Sequence, residues 1–262
     1  MRNFDILLWD LDGTLMNFTA AERAAIRRLF GEFGLGECTD DMLLHYAAIN
    51  KKYWEMLERG EMTKPMILEG RFAEFFQSEG IHPGKRDTEA TGSRPEKSSA
   101  RGSKESGCGS ETPAQLAAAF NAAYQVRLGD TVVFNDDSKE LVERLNGKIP
   151  QYIVSNGTIV AQTKKLRVSG FDKLMDGVFL SEELGYEKPA EEFFEAVFKA
   201  VGVPPVSKER VLIVGDSLTS DIPGGNRAGI KTCWYNPDGA ENLTSAVPDF
   251  EIRHLQELPD LL

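Results

Sequence analysis

Four short stretches of the chain place groups that can attack, hold a cation or move a proton immediately after an apolar run. The first is Asp10-Leu11-Asp12-Gly13-Thr14-Leu15. Carboxylates at i and i+2 of a strand end point to one side, so one can attack and bind a cation while the other moves a proton, and Gly13 lets the chain turn sharply away. A calcium loop also begins Asp-x-Asp, but here the position that must be glycine is Leu15 and the one that must be a bidentate glutamate is Ala21. Turn chemistry, with Asp and Gly in their usual places, is the competing explanation.

The second stretch is Ser155-Asn156-Gly157-Thr158, a hydroxyl and backbone donors near a helix start, which together suit phosphate oxygens. The third is Lys188-Pro189, which contributes a point charge. The fourth is Gly215-Asp216-Ser217 with Asp221 close behind. Each alone reads as a turn, a cap or a solvated charge. Their occurrence in this order, each at a strand end, is the specific signal, because open parallel sheets bind ligands at the carboxyl ends of their strands.

The elements that must position these groups are short apolar runs bounded by Gly, Pro, Asn or Asp: Ile6–Trp9, Tyr152–Val154, Val178–Leu180, Val211–Val214 and Thr232–Tyr235. Helical stretches near 158–168, 190–201 and 221–228 alternate with them, which predicts an α/β core whose parallel sheet is covered by helices on both faces. Between the first run and the second lies a helical block. Thr19 with Glu22 reads as a capping box ahead of Ile26, Leu29, Phe30 and Phe33. Two further helices are expected over Asp41–Leu57, including Trp54, and over Lys64–Gln77, including Phe72, Phe75 and Phe76. A fourth carries Leu116, Phe120 and Tyr124 and ends at Gly129, and the aromatics of all four read as core. From His82 through Gln115 there is no Val, Ile, Leu, Met, Phe, Trp or Tyr, so residues 83–112 are expected to be a disordered insertion.

The chain has 262 residues, and its 41 acids against 30 bases give a net charge of −11. That balance opposes a nucleic-acid polymer, and an anionic substrate must be attracted locally. No apolar stretch approaches the ~20 residues that cross a bilayer. Met1-Arg2-Asn3-Phe4-Asp5 lacks the basic start and long apolar run of a signal peptide, and Cys38, Cys108 and Cys233 form no CxxC pair. Reduced thiols in a cytoplasmic protein are the expectation, with no membrane and no obligatory protein partner implied. No Walker pattern or dinucleotide fingerprint is present, so ATP is not implied as a cofactor.

Taken together, the four stretches resemble the haloacid dehalogenase superfamily of phosphatases, with the motifs matched in order over residues 5–15 and 151–235. The helical block resembles that family's small α-helical cap, and within it Ile49–Trp54 and Leu68–Phe72 look like the cap of bacterial pyrimidine 5'-nucleotidases. The stretch 83–112 departs from the family pattern. The resemblance implies a Rossmann-like core at 1–16 and 129–262, with the cap at 17–128. It makes Asp10 the nucleophile that forms an aspartyl-phosphate and Asp12 the acid that protonates the leaving oxygen and later activates water. For that, Asp12 needs a shielded site or a nearby anion to hold its proton at neutral pH. Mg2+ would sit between the Asp10 carboxylate, the Asp12 main-chain carbonyl and Asp216, with Asp221 in support, while Ser155, the Asn156 amide and Lys188 neutralise the phosphoryl group.

The implied substrate is a small phosphate monoester, a nucleoside 5'-monophosphate with pyrimidines preferred. A sugar-phosphate phosphatase or phosphomutase would use the same core. Dehalogenation does not need the acid that Asp12 provides, and a non-catalytic binding module does not need Asp10, Asp12, Lys188 and Asp216 intact.

Overall fold

Runs of three to five mostly apolar residues become the strands of one sheet in the computed structural model, which describes residues 3–83, 112–203 and 205–262. They are β1 (Ile6–Trp9), β2 (Gln151–Ser155), β3 (Gly177–Leu180), β4 (Val211–Gly215), β5 (Lys231–Tyr235) and β6 (Phe250–Ile252). Their order is β3-β2-β1-β4-β5-β6, and every pair is parallel. Parallel strands buried on both sides need apolar residues at successive positions, and the whole of β4 is buried accordingly. The pleat sends alternate residues to opposite faces. Leu7, Trp9, Leu212 and Val214 join one apolar cluster, and Leu8, Val211 and Ile213 join another beneath the second face.

Helices cover both faces: α5 (Ser138–Leu145) and α6 (Ile159–Ser169), the short α7 (Ser181–Leu184), then α8 (Glu191–Val201) and α9 (Asp221–Ala228). This is the Rossmann-like arrangement, with the ligand crevice expected where the order reverses around β1. The inserted block holds α1 (Phe18–Phe33), α2 (Asp40–Glu58), α3 (Lys64–Ser78) and α4 (Pro113–Asp130) around its own aromatic core. There Tyr46 stacks on Phe72 with centroids 4.6 Å apart, and Phe120 meets Phe72 edge-on at 4.9 Å. The chain leaves the core and re-enters it side by side, with Asn17 N–H donating to Val133 O and Met16 bridged to Phe134. No described helix is long and apolar enough to cross a membrane.

Two local expectations change. The α1 cap is Asn17, whose side chain accepts from Ala20 N–H; Thr19 lies inside the helix, and Glu22 is buried among other partners. Asn at the N-cap satisfies the orphan amide as well as Thr would, two residues earlier. Gly129 does not end α4 but lies in its last turn, where a Cβ would come within 2.8 Å of Lys164 Cβ on α6, so glycine there permits close helix packing. Trp54, read as core, packs half-buried against the aromatic cluster and also lines a cavity with Asp10. The expected disordered stretch falls outside the described residues except at its ends. One end, Thr112, is the N-cap of α4, in a capping box with Gln115 followed by Pro113 at the first helical position.

Candidate functional site

The carboxyl end of β1 delivers Asp10 to the sheet's switch point, where it is 7% exposed. Lys188 Nζ donates to Asp10 Oδ1 (2.7 Å), to Asp221 Oδ1 (2.7 Å) and to Val154 O (2.8 Å), which engages all three of its hydrogens. Asn156 sets that lysine in place: its Nδ2 donates to Lys188 O and its Oδ1 accepts from Lys188 N–H, both at 2.8 Å. Burial alone would deprotonate a lysine, but the two carboxylates outweigh it and hold the Lys188 pKa above its ordinary value.

Asp216 follows β4 and accepts from Thr14 Oγ1 at 3.2 Å. Its carboxylate occupies the space left by Gly13, where a Cβ would lie 2.5 Å from Asp216 Oδ2; the positive φ of +98° at Gly13 also favours glycine. One ligand oxygen from each of Asp10, Asp216 and Asp221 lies within 4.8 Å of the others. Three carboxylates face one ammonium, an excess of two negative charges. Removal from water, followed by the nearby acids, drives Asp10 well above the usual carboxylate range despite Lys188, and burial with Asp221 pushes Asp216 to about 7. A hard divalent cation with oxygen ligands fits both the donor set and the charge deficit. Asp221 has the fewest lone pairs to spare, because Lys188 takes one oxygen and Ser217 N–H the other at 3.2 Å.

Ser155 ends β2. Its hydroxyl oxygen accepts from Gly157 N–H and from Gln162 Nε2, each at 3.1 Å, so both lone pairs are used and its own hydrogen is left to donate to an anion. Asp12 is held on both oxygens: Gln162 Nε2 donates to Oδ2 at 2.6 Å, and Lys165 Nζ bonds Oδ1. The structure thus gathers Asp10, Ser155, Asn156, Lys188, Asp216 and Asp221 around one cavity, and turns the Asp12 carboxylate onto two residues that the sequence reading passed over. The signal for Gln162 and Lys165 was obscured because α6 mixes polar and apolar residues on its buried face, Ala161 and Leu166 among them. It buries Gln162 and Lys165 at 1% exposure each and leaves Ile159, Val160 and Val168 at 37%, 55% and 54%.

The cavity measures about 170 Å³, and its other wall is helical, formed by Phe18, Trp54, Glu58, Arg71, Gln125 and Leu128. Behind it, Arg71 donates to Asn50 Oδ1 (2.9 Å) and Asn121 Oδ1 (3.0 Å), while Asn50 Nδ2 (2.8 Å) and Tyr124 OH (3.2 Å) donate to Glu22 Oε1. Burial pushes Glu22 up to about 7 even with Arg71 nearby. Two ties close this wall onto the core: Thr219 Oγ1 donates to Glu58 Oε2 at 2.5 Å, and Lys64 Nζ donates to Ser181 Oγ at 2.5 Å with Glu187 at 3.5 Å. A buried carboxylate able to attack, a second carboxylate able to move a proton and a hydroxyl donor in one cleft are parts that phosphoryl transfer can use.

The comparisons agree with that chemistry. A family model for haloacid dehalogenase-like hydrolases matches residues 4–229. The chain is 34% identical to the HAD-hydrolase YfnB of Bacillus subtilis, covering 100% of this chain and 97% of that one. It is 33% identical to the pyrimidine 5'-nucleotidase PynA of Streptococcus pneumoniae, over 99% of this chain and 95% of the relative. The pyrimidine 5'-nucleotidase YjjG of Escherichia coli is 26% identical over 99% and 98%. A crystal structure of YfnB, bound to magnesium and described as revealing interdomain movement, superposes with a TM-score of 0.81 at 33% identity, covering 100% and 99% of the two chains.

Proposed function

The chain belongs to the haloacid dehalogenase-like hydrolases and is a phosphatase of that family, and from this premise we propose that it hydrolyses pyrimidine nucleoside 5'-monophosphates through an aspartyl-phosphate on Asp10. The observation that carries the reading is the likeness to PynA along almost the whole chain, helical block included, because the catalytic floor alone is common to many phosphatases. In this reading residues 17–128 form the cap and residues 1–16 with 129–262 the core. The rings of Phe18 and Trp54 offer apolar faces suited to a planar base, and a cavity of about 170 Å³ walled by the cap suits a small molecule.

Asp10 attacks phosphorus as the bond to the 5' oxygen breaks, and Asp12 gives its proton to that oxygen, releasing the nucleoside. Asp12 then takes a proton from the water that attacks the phosphoryl group, which releases phosphate and restores Asp10. Ser155 donates its remaining hydrogen to a phosphoryl oxygen. Lys188 neutralises the nucleophile's surroundings, held there by Asp221 and Asn156. A magnesium ion on the carboxylates of Asp10 and Asp216 and the main-chain carbonyl of Asp12 would supply charge neutralisation to the transferring group.

Phosphate release from pyrimidine and purine nucleoside monophosphates and from sugar phosphates, with magnesium and with chelator, tests this reading. Pyrimidine monophosphates leading the panel, with turnover lost to chelator, is the expected result. Sugar phosphates in the lead would overturn the substrate and leave the phosphatase in place.

A further inference from the structure

We propose that Gln162 and Lys165 are positioning residues for the reaction, fixing the Asp12 carboxylate in register with the phosphate-binding hydroxyl of Ser155. The inference rests on the reading of Asp12 as the group that moves the proton.

Burying an amide and an ammonium on one helix face is costly unless both find partners. Gln162 and Lys165 stand at i and i+3 of α6, hence side by side, and both point at the end of β1. Lys165 is 1% exposed, and Asp12 is the acid that accepts its hydrogen bond. On the cap side its ammonium lies 5.5 Å from the ring of Phe18. The two hydrogens of Gln162 Nε2 are divided between Asp12 Oδ2 and Ser155 Oγ, so one nitrogen sets the spacing between the proton-moving group and the hydroxyl that holds the phosphoryl oxygen. Space for it is reserved: a Cβ at residue 157 would fall 1.8 Å from Gln162 Nε2, which makes Gly157 a requirement of the glutamine. Gln162 Oε1 is buried without a hydrogen-bond partner, a penalty accepted where the amide nitrogen must face both groups.

With both oxygens held, the carboxylate plane of Asp12 cannot rotate freely. Orientation of this kind affects the rate of a step that needs the carboxyl proton and leaves untouched a step that does not. A merely structural role, neutralising a buried charge, would lower stability and treat all leaving groups alike.

The test compares kcat/KM, which reports the reaction up to departure of the leaving group, for uridine 5'-monophosphate and for p-nitrophenyl phosphate, whose phenolate leaves without a proton. Wild type, Lys165→Met and Gln162→Leu are assayed beside melting curves. A fall of about 100-fold with the nucleotide and of no more than about threefold with the aryl ester is expected for Lys165→Met, with a smaller split in the same direction for Gln162→Leu. An equal fall for both esters in a folded variant would overturn the proposal. Should Lys165→Met fail to fold, the split in Gln162→Leu decides. Failure of the substrate reading shows separately, as wild type that cleaves the aryl ester and not the nucleotide; the comparison is then run with whichever alkyl phosphate is turned over.

Discussion

On the core side of the cleft, Asp10, Asp12, Ser155 and Asp216 sit at or just after strand ends, and within the acid cluster the charges do not balance: Asp10, Asp216 and Asp221 gather about Lys188. Behind the cap-side wall, the polar groups come from four different helices, Glu22 from α1, Asn50 from α2, Arg71 from α3 and Tyr124 from α4, and in that network one acid is linked through Asn50 to one base. The first arrangement stores unfavourable electrostatics where a cation and a phosphate are to bind. The second spends its polar groups on holding four helices in register. A site that reacts and a wall that shapes the site thus differ in whether their charges are satisfied before substrate arrives.

Replacing one acid on the core side should separate activity from stability most sharply. Asp10→Asn is expected to lower phosphate release by about 10⁴-fold or more, since the proposed mechanism then has no nucleophile, while the metal-free melting temperature holds or rises because one of three crowded carboxylates is replaced by a neutral amide. A melting temperature that drops with activity would break the contrast. On the cap side the expectation reverses. Arg71→Met strips the buried network of its base, with an expected destabilisation of about 3–5 kcal/mol, read by denaturant unfolding. Its folded fraction should still cleave p-nitrophenyl phosphate.

Glu22 sharpens the comparison through pH. Its folded pKa of about 7 lies above the ordinary 4.5, so the folded state holds the proton more tightly than the unfolded one. That contribution is fully present below about pH 4.5 and is lost as pH rises through about 7. Glu22→Gln, neutral throughout, should flatten the stability profile between pH 5 and 7 by up to about 1.4 kcal/mol per pH unit and match or exceed wild type at pH 8. An unchanged slope would mean that Glu22 is ionised and fully paired. The smallest effect is expected between the two described ends at Pro83 and Thr112. Replacing residues 84–111 by a short flexible linker should leave kcat within about twofold, provided Thr112 keeps its cap on α4. A large loss of kcat would give that stretch a part in closing the site.

The same contrast explains what could be read in the sequence. The core side was legible because Asp10, Ser155 and Asp216 each stand next to an apolar run, with Lys188 in the loop after the third run, and strand ends are visible as such. The α5 helix and the β6 strand were not read, being only eight and three residues long, although Leu141, Val142 and Leu145 share the buried face of α5. The cap network has no motif at all, since each helix contributes one or two polar residues to an aromatic face. Glu22 consequently looked like a capping partner for Thr19. Gln162 and Lys165 were hidden because α6 has a mixed buried face, where they lie beside Ala161 and Leu166 while Ile159, Val160 and Val168 are exposed.

The strand order also governs when the enzyme comes into being during synthesis. β1 is made first, yet it lies between β2 and β4, so it has no neighbour until the whole helical block has emerged. Thr14 reaches its bond to Asp216 only 202 residues later, and Asp10 meets Lys188 across 178. The helical block can collapse on its own aromatics in the meantime. A ribosome-bound or prematurely terminated chain therefore carries no assembled acid cluster, and phosphatase capacity arrives as one late event with β4 and the residues that follow it.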